Sequence, residues 1–312
     1  MRIYHDWQDI AGGDRGAAVA MGNFDGVHLG HQHVIGLASE QAALTGGPLG
    51  VVTFEPHPRS FFAPEAPPFR LMNPEARANR LAKLGVKVLF ELPFDARLAG
   101  LSPEAFVTDV LAKGLGISHV VVGADFCFGK GRKGTAADLQ RLCAEQGIGV
   151  TQAGLIQTDG VDISSTQIRR ALTEGEPVRA RDMLGHWHRI EGEVIHGAKR
   201  GRELGYPTAN MAVENLHLPK PGIYAVLVDV LTGPHQGRYH GAANLGVRPM
   251  FGENPPNLET YLFDFSGDLY GQHLSVAFVE FLRGEAKFDG LPALIAQMDA
   301  DCARARQSLG AL

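Results

Sequence analysis

Apolar runs of strand length alternate with helix-like segments from the start of this chain to about Leu184. The runs are apolar throughout rather than alternating with polar residues, which is typical of strands buried on both faces of a parallel sheet. This alternation constrains the fold more than any other feature of the sequence. The runs read "GAAVAMGNF", "GPLGVVTFEP", "GVKVLFELPF", "ISHVVVGADF" and "GIGVTQAG".

The segments between these runs carry the signals of helix ends. Several open on Asn, Ser or Thr before Pro or Glu and close on Gly, as helices do. The alternation predicts an α/β fold in which an N-terminal doubly wound parallel sheet carries helices on both faces. Ligands of such sheets bind at the carboxyl ends of the strands. The helical segments are "HQHVIGLASEQAAL", "NPEARANRLAKLG", "SPEAFVTDVLAKGLG" and "TAADLQRLCAEQG".

The pattern changes after Leu184. From Ile190 onward the chain gives short strands separated by Gly- and Pro-rich turns, which predicts a C-terminal antiparallel β-barrel. A terminal amphipathic helix follows, with one apolar face formed by Leu291, Leu294, Ile295, Met298, Cys302 and Leu309. We therefore expect two domains, residues 1–185 and 186–312.

Composition limits the class of protein. The 312 residues exceed one average domain, and 29 basic against 34 acidic residues give a net charge of −5. That balance does not favour a nucleic-acid or membrane-surface partner. Three scattered cysteines fit no disulfide framework or zinc spacing. With no apolar segment of signal-peptide or membrane-spanning length, the sequence predicts a cytoplasmic location.

The stretch "AMGNFDGVHLGHQHVI" places two histidines in a glycine-rich turn between a strand and a helix. Gly26 and Gly30 allow the backbone to approach a ligand, and the helix that follows points its free N–H groups at the same place. These features predict a phosphate site. His28 and His31, neutral or protonated, would then stabilise charge that develops on a reacting phosphorus. Alternatively, both histidines are simply turn and cap residues.

A second glycine-rich stretch, "GADFCFGKGRKG", carries weaker information. Gly129, Gly131 and Gly134 have the G-x-G-x-x-G spacing, but no acidic residue follows at the distance that a ribose needs. The stretch does not have the Walker A spacing either. We interpret it as a basic loop at the same crevice, in which Lys130, Arg132 and Lys133 either serve anions or form a solvated charge cluster.

The stretch "ISSTQIRRAL" predicts a helix capped by Ser164, Ser165 and Thr166. Its free N–H groups and Arg169 are suited to holding a departing pyrophosphate. As a cap alone the motif is unremarkable, and it gains specificity only when it is paired with the H-x-G-H turn.

The second half contains "GAKRGRELGYPTAN", in which Gly197, Gly201 and Gly205 permit a phosphate-wrapping loop. Thr208 and Asn210 lie two apart, so in extended chain their side-chain oxygens share one side. Such hard ligands suit Mg²⁺ together with substrate phosphates. Glu259 is the one carboxylate in an apolar and aromatic strand and is a candidate base. Taken singly, these features are better explained as a glycine turn, a polar strand edge and a solvent-facing Glu.

Together the motifs resemble a known family. "GNFDGVHLGH", "TFEPHP", "GADFCFG" and "ISSTQIR" look like the adenylyltransferase half of bacterial bifunctional riboflavin kinase/FAD synthetases. "GYPTANM", "PKPGIYAV", "NLGVRPMFG" and "LETYLFDFSGDLYGQHL" are similar to the kinase half of those enzymes. The resemblance covers nearly the whole chain. It implies that a barrel domain makes FMN from riboflavin and ATP with Mg²⁺, and that the N-terminal domain makes FAD from FMN and a second ATP.

The resemblance also implies site residues. It assigns Glu259 as the base, Thr208 and Asn210 to magnesium, and His28 and His31 to the adenylyl transition state. The phosphate-binding set gains Gly22, Asn23, Phe24, Lys199 and Arg200. The flavin-binding candidates are His57, Asp125, Phe126, Phe128 and Arg248, with Phe24 and Phe54 as further aromatic walls. A monomer or weak homo-oligomer is expected.

Two positions depart from the family pattern, and three alternatives stay open. Asp162 stands where a basic residue is common, and Met250 stands where Thr is usual. One alternative is a single-activity nucleotidylyltransferase, such as one that uses pantetheine phosphate, with a ligand-binding barrel. A second is a class I aminoacyl-tRNA synthetase, although neither a KMSKS-like loop nor a tRNA-binding extension is seen. A third is a flavin carrier without catalysis.

Overall fold

The computed structural model of the chain describes residues 1–154, 156–158, 161–197, 205–246 and 256–311, with the backbone alone at 157–158 and 161–162. These residues pack into two compact units. The first holds Met1–Pro67 and Arg77–Ile163, and the second holds Pro68–Ala76 and Ser164–Leu312. The boundary expected at residue 185 between two functional domains remains a prediction.

The sheet of the first unit has six strands: β1 (Arg2–Tyr4), β2 (Ala18–Met21), β3 (Leu49–Glu55), β4 (Val88–Pro93), β5 (His119–Gly123) and β6 (Gly149–Ala153). Their spatial order is β1-β4-β3-β2-β5-β6, and every adjacent pair is parallel. The five apolar runs of the sequence are β2 to β6, so the predicted sheet is confirmed. Chain order reverses between β2 and β5, which makes their carboxyl ends a switch point for ligand binding.

The helices of this part of the chain begin and end where the sequence signals lie. Ser102 and Thr135 cap their helices through their side chains, and Gly46 and Gly116 end helices in the left-handed conformation. The helices are α1 (Leu29–Thr45), α2 (Pro58–Phe62), α3 (Pro74–Lys83), α4 (Ala96–Ala99), α5 (Pro103–Ala105), which continues as a π-helical run Phe106–Leu115, and α6 (Ala136–Glu145). A short hairpin follows, β7 (Gln157–Thr158) and β8 (Val161–Asp162).

The second unit contains an antiparallel sheet of β9 (Arg189–Glu193), β10 (Ala209–Ala212), β11 (Gly222–Val230), β12 (Gly237–Gly246), β13 (Asn257–Leu262) and β14 (His273–Arg283). Their order is β10-β13-β12-β11-β14-β9. Beyond β9, the Ile195 N–H donates to the Asn210 carbonyl at 2.8 Å, which brings the two edges together. The sheet therefore nearly closes into the predicted barrel, although β10 was predicted only as extended chain.

The barrel interior is apolar, and its outer face carries polar side chains. Along β13, Leu258 and Leu262 are buried in the interior cluster, while Glu259 and Tyr261 are half-buried and point to the opposite face. Among its described residues this unit has three helices: α7 (Ser165–Glu174), α8 (Pro177–Leu184) and α9 (Leu291–Leu309). Among the described helices of the chain, none combines the length and apolar character that a membrane crossing requires.

Helix α9 lies on the outer face of the barrel and packs against β11, β12 and β14. Its anchor is an ion pair in which the Arg283 guanidinium donates to both Asp301 carboxylate oxygens at 2.7–3.0 Å. The predicted terminal helix is confirmed, although Leu291 of its predicted apolar face is 51% exposed. Leu291 lies in the first turn, whereas the anchor and the buried Ala305 lie in the second half of the helix.

Candidate active sites

The turn after β2 is buried and has an unusual backbone. Phe24, Gly26 and Val27 have φ angles of 51°, 88° and 43°, all in the left-handed region. Only the glycine adopts this region without cost, so the phenylalanine and the valine are held there by their surroundings. Both are almost completely buried, as is Asp25 between them. The turn therefore has a defined shape that its packing imposes.

His28 caps helix α1. Its Nδ1 accepts a hydrogen bond from the His31 backbone N–H at 3.3 Å. A neutral His28 that accepts at Nδ1 carries its proton on Nε2, the nitrogen on the far side of the ring. The cap interpretation and the phosphate interpretation of His28 thus use different ring nitrogens and are compatible.

The two imidazoles are stacked. The His28 and His31 ring centroids lie 3.6 Å apart with 17° between the planes, and the Phe24 ring packs edge-on to His31 at 5.2 Å. Burial and the neighbouring His28 hold the pKa of His31 well below its usual value. Of the two protonation states considered from the sequence, the neutral one is therefore present in His31 near pH 7. It can donate a hydrogen bond but adds no positive charge.

Gly30 and Gly22, two of the predicted phosphate-binding glycines, differ in how much space a side chain would have at each position. A Cβ at Gly30 would lie 3.2 Å from Cε1 and Nδ1 of His28, so this glycine leaves room for the imidazole ring. A Cβ at Gly22 would make only an ordinary 3.6 Å contact with Phe24. The Gly22 backbone N–H is already bonded to the Val52 carbonyl. Their roles toward phosphate remain predictions.

The flavin candidates of the first unit lie after β3 and β5. His57 caps α2, because its Nδ1 accepts from the Arg59 N–H at 3.0 Å. Phe126 stacks on Phe128 at 5.8 Å with 18° between the rings. Phe128 is 6% exposed and belongs to the core, as Phe24 does, while Phe126 is half-buried and Asp125 is exposed. Among these aromatic side chains, Phe126 and the half-buried Phe54 keep surface that a ring could cover.

The basic loop is tightly folded. Gly129, Gly131 and Arg132 have left-handed φ angles of 70°, 66° and 57°, and Phe128 and Gly134 exchange two backbone hydrogen bonds at its base. Lys130, Arg132 and Lys133 are exposed. Both interpretations of this loop, anion binding and a solvated cluster, stay open.

The "ISSTQIR" segment forms the start of α7 in the second unit. Ser164 is its N-cap, with its hydroxyl accepting from the Gln167 N–H at 3.3 Å, and Ser165 and Thr166 open the first turn. The predicted cap is confirmed. Arg169 donates from Nε to the Phe69 carbonyl at 2.6 Å, so part of its guanidinium has a structural partner. Its contact with pyrophosphate remains a prediction.

A row of polar side chains crosses three strands of the barrel. Asn210 on β10 and Asn244 on β12 are each directly opposite Glu259 on β13. Residues that face each other in a sheet project from the same side, so the three side chains form one line on the outer face. The candidate base is therefore on the outside of the barrel, between the sheet and α9, because the interior is filled by apolar side chains.

Thr208 and Asn210 are in contact, but the Asn210 amide presents its nitrogen to Thr208, whereas the sequence predicted that the two side-chain oxygens share one side. The Asn210 amide nitrogen lies 3.2 Å from the Thr208 carbonyl oxygen and 3.5 Å from its hydroxyl. Gly197 lies so close that a Cβ there would be 2.5 Å from the Asn210 amide group. Gly205 is exposed and left-handed at φ 84°. Four predicted residues lie outside the described residues, as does the atypical Met250: Lys199, Arg200, Gly201 and Arg248.

Sequence reasoning missed Asn257. Its side-chain nitrogen donates to Asn210 Oδ1 at 2.9 Å and to Glu259 Oε1 at 3.4 Å. Asn257 precedes Glu259 by two residues on one strand, so the two-residue periodicity of strands was the signal that pointed to it. Its own Oδ1, like that of Asn244, is buried without a hydrogen-bond partner in the described part of the chain.

The described residues line two cavities beside this polar row. The larger encloses about 580 Å³ between the sheet and α9, with Glu259 and Asn244 on one wall and Phe288, Leu294 and Met298 among its apolar lining. The smaller encloses about 260 Å³ and is lined by residues of the 262–270 segment together with Pro207 and Ala209. Thr208 lines both cavities. The two cavities therefore share this threonine in their walls.

The donor set fits a hard cation bound mainly through a substrate. Thr208 carries a hydroxyl and Asn210 an amide oxygen, the ligand types that Mg²⁺ accepts alongside phosphate oxygens and water. The Asn210 oxygen accepts a hydrogen bond from Asn257, and an amide oxygen has a second lone pair for a cation. Within the described ranges, no group of three or more His, Cys, Asp or Glu side chains is placed to hold a metal by itself.

Comparison with known proteins gives two family matches. A family described as FAD synthetase matches residues 11–167, and a family described as riboflavin kinase matches residues 184–309. The two matches fall on the parts of the chain that contain the H-x-G-H turn and the Thr208–Glu259 site, respectively.

Relatives match over nearly the full length. Proteins named bifunctional riboflavin kinase/FMN adenylyltransferase are 41% identical in Pseudomonas fluorescens, over 98% of this chain and 97% of the relative. The Escherichia coli K12 relative is 37% identical over 95% and 93%. A crystal structure described as a macrolide-efflux protein from Streptococcus pneumoniae is also similar, with a TM-score of 0.81 and 31% identity over 96% of both chains.

Proposed function

The chain belongs to the family of bifunctional riboflavin kinases/FMN adenylyltransferases, and from this premise we propose which of its residues carry out each reaction. The enzyme phosphorylates riboflavin to FMN and adenylylates FMN to FAD, using ATP in both steps. The C-terminal part is the kinase and the N-terminal part is the adenylyltransferase. The earlier alternatives of a single-activity nucleotidylyltransferase, a tRNA synthetase and a flavin carrier are therefore set aside.

Riboflavin occupies the larger cavity of the second unit, and ATP occupies the smaller one. The observation that carries this assignment is the position of Thr208, which lines both cavities and lies beside Asn210. Phosphoryl transfer needs the acceptor hydroxyl and the γ-phosphate in line at a shared point. The apolar walls from Phe288, Leu294 and Met298 suit a flat aromatic ring system.

In the kinase reaction, the Glu259 carboxylate accepts the proton of the riboflavin 5′-hydroxyl. That oxygen forms a bond to the γ-phosphorus while the bond to the β-phosphate oxygen breaks, and ADP leaves. Asn257 holds Glu259 and Asn210 in place through its side-chain N–H groups. Thr208 and Asn210 hold Mg²⁺, which supplies neutralisation of phosphate charge when bound. The resemblance adds Gly197, Lys199, Arg200, Gly201 and Gly205 as the loop around the nucleotide phosphates.

In the adenylyl reaction, an oxygen of the FMN phosphate forms a bond to the α-phosphorus of ATP, and pyrophosphate leaves. His28 and His31 donate hydrogen bonds from neutral imidazoles to the oxygens where charge develops. The turn around Gly26 and the start of α1 present backbone N–H groups to the same phosphates. Ser164, Ser165, Thr166 and Arg169 hold the departing pyrophosphate. His57, Asp125, Phe126, Phe128 and Arg248 remain the flavin-binding candidates by resemblance.

The decisive experiment separates the two reactions in one chain. The protein is incubated with riboflavin, ATP and Mg²⁺, and the flavins are separated by chromatography. Glu259→Gln should lower FMN formation by about 10²- to 10⁴-fold while FMN added directly is still converted to FAD. Glu214→Gln, an exposed Glu after β10, is the matched control. Normal kinase turnover in Glu259→Gln would contradict the base assignment.

The complementary variant is His28→Asn. Asparagine is a good N-cap, so this change keeps the cap of α1 and removes only the imidazole. FAD formation should fall by about 10²- to 10³-fold, with FMN formation unchanged. His33→Ala on the same helix serves as the control. Equal FAD formation in His28→Asn and wild type would remove His28 from the reaction.

The three cysteines among the described residues are free thiols, which supports a reducing cytoplasm. Together with the modest net charge of −5, this supports a cytoplasmic enzyme without nucleic-acid or membrane partners. We expect a monomer or weak homo-oligomer, which light scattering after size-exclusion chromatography measures directly.

A further inference from the structure

Arg77 is a completely buried arginine that neither reaction uses. It lies on α3, and its side chain has 0% exposure. One terminal nitrogen donates to Glu55 at 3.0 Å and to Glu91 at 2.6 Å. The other donates to the backbone carbonyl oxygen of Asn23 at 3.5 Å. Burying such a group is costly, and well-packed apolar side chains often stabilise a core equally well. Its presence therefore calls for a reason other than stability.

The three acceptors belong to three adjacent strands. Glu55 is the last residue of β3, Glu91 lies on β4, and Asn23 follows β2. Strands β2, β3 and β4 are neighbours in the sheet. A single planar guanidinium thus ties these strands together near their carboxyl ends, the edge where open parallel sheets bind ligands. The N–H groups of a guanidinium point in several fixed directions, so this one side chain can donate to all three acceptors.

The Asn23 carbonyl connects this hydrogen-bond network to the turn after β2, which leads to His28. Asn23 immediately precedes the left-handed Phe24, and the turn leads on to the His28 cap. The same carbonyl accepts a second hydrogen bond from the buried Thr53 hydroxyl at 3.2 Å. Two buried donors, Arg77 and Thr53, therefore fix the start of the turn. The non-glycine residues of the turn do not favour the left-handed conformation by themselves, so the turn needs this support.

We propose that Arg77 is a positioning residue for adenylyl transfer. Arg77 holds the Asn23 carbonyl in place by a hydrogen bond. This fixes the start of the turn and therefore the orientation of His28 toward the phosphate. Arg77 touches no substrate in this assignment, and Thr53 acts on the same carbonyl from β3. The proposal rests on the role of His28 proposed above. A misplacement of a catalytic group by about 1 Å costs up to about 100-fold in rate.

The test is Arg77→Lys in the full-length enzyme. One ammonium cannot bridge two carboxylates and a carbonyl as the guanidinium does. For FMN to FAD we expect kcat to fall by about 10- to 100-fold, with the KM values for FMN and ATP within about threefold. Riboflavin kinase activity of the same molecules should stay at the wild-type level, and an unfolding curve followed through Trp7, with Trp187 replaced by Phe in both proteins, reports whether the first unit is folded. Arg141→Lys, an exposed arginine on α6, is the matched control.

Thr53→Val provides the second arm, because it removes the other donor to Asn23 with little change of volume. We expect a kcat loss of several-fold, on the scale of one lost hydrogen bond. The double variant should lose less than the product of the single losses, because both side chains act through one carbonyl. If Arg77→Lys does not fold, Thr53→Val decides alone.

Three results would overturn the proposal: a wild-type kcat in folded Arg77→Lys, a wild-type kcat in Thr53→Val, or a rise in KM with kcat unchanged. The His28→Asn variant separates this failure from failure of the proposed function. A normal rate in His28→Asn would remove the catalytic assignment itself. A slow His28→Asn with a normal Arg77→Lys would remove only the positioning role.

Discussion

The side-chain nitrogen of Asn257 donates to Asn210 Oδ1 at 2.9 Å and so determines which way the Asn210 amide faces. With its oxygen toward Asn257, Asn210 directs its nitrogen toward Thr208. The same Asn257 nitrogen reaches Glu259 at 3.4 Å. One amide group therefore orients both a proposed metal ligand and the proposed base.

Replacing Asn257 by Leu should lower the kinase kcat by about tenfold or more. The change keeps the size of the side chain but frees the Asn210 amide to rotate and removes a hydrogen bond from Glu259, each on the order of 1 kcal/mol or more. The KM for riboflavin should change little, and the Mg²⁺ concentration for half-maximal rate should rise. Steady-state kinetics at varied Mg²⁺ measures both. An unchanged Mg²⁺ dependence with an unchanged kcat would show that Asn257 orients neither partner.

Replacing Gly197 by Ala should impair the kinase selectively. A Cβ at this position would lie 2.5 Å from the Asn210 side-chain amide, closer than real Cβ atoms approach, so the amide must move. We expect a weaker response to Mg²⁺ and a kinase rate at least about tenfold lower, with FAD formation from FMN unchanged.

Gly192→Ala is the matched control for Gly197→Ala, because β9 leaves open space at that glycine. Equal kinase rates in the two variants would mean that the close approach of residue 197 to Asn210 has no part in the reaction.

The sequence predicted elements that have a strong local signal and missed elements that depend on distant contacts. The run "GVKVLFELPF" contains β4 because a strand buried on both faces must be apolar throughout. Strand β1 covers three residues with an exposed-exposed-intermediate pattern, so it has no such signal. Strand β10 follows Pro207 and pairs with β13 across a large sequence distance, which local pattern reasoning does not reach.

The candidate site divides in the same way. His28 stands out in the sequence because it is a titratable residue in a glycine-rich turn. Glu259 stands out because it is a carboxylate in an apolar and aromatic strand. Arg77 sits on a helix surrounded by other charged residues and looks like a solvent-facing arginine. Only the sheet order brings Glu55, Glu91 and Asn23 around it. The neutral state of His31 likewise comes from burial, which the sequence does not specify.

Acidification should destabilise the second unit through His188. This side chain is buried, its Nε2 lies 3.1 Å from the Leu71 carbonyl oxygen, and burial lowers its pKa to about 4. The unfolded chain binds this proton near pH 6.5. Between pH 6.5 and 4 the unfolded state therefore holds more protons than the native state. The free energy of unfolding should fall across this window by about 3 kcal/mol in total, and the effect should stop below it.

Denaturant unfolding followed through Trp187 in a Trp7→Phe background measures the pH dependence in the second unit. His188→Gln keeps an N–H that can reach the Leu71 carbonyl but has no proton to gain in this range. Its free energy of unfolding should depend less steeply on pH than that of the parent. Identical slopes in the two proteins would assign the acid sensitivity to other groups, such as the neighbouring His186 and His217.

The last prediction concerns Gly30, which is the third residue of the H-x-G-H motif and lies in the first turn of α1. Ala at this position would place a Cβ 3.2 Å from the His28 ring, so the imidazole must shift by a few tenths of an ångström or turn away. Because the adenylyl step depends on where that ring points, FAD formation should fall by about tenfold. The kinase reaction, measured in the same sample, should not change.

Gly36→Ala tests whether such an effect comes from the ring or from the helix. Gly36 lies on α1, and nothing is within 4 Å of a Cβ built there. Alanine in a helix interior is favoured over glycine by about 0.5–1 kcal/mol, so Gly36→Ala should raise the melting temperature and leave both activities intact. Gly30→Ala gains the same helix propensity. If it keeps full FAD formation, the space beside His28 is a packing detail of the helix and not a requirement of the reaction.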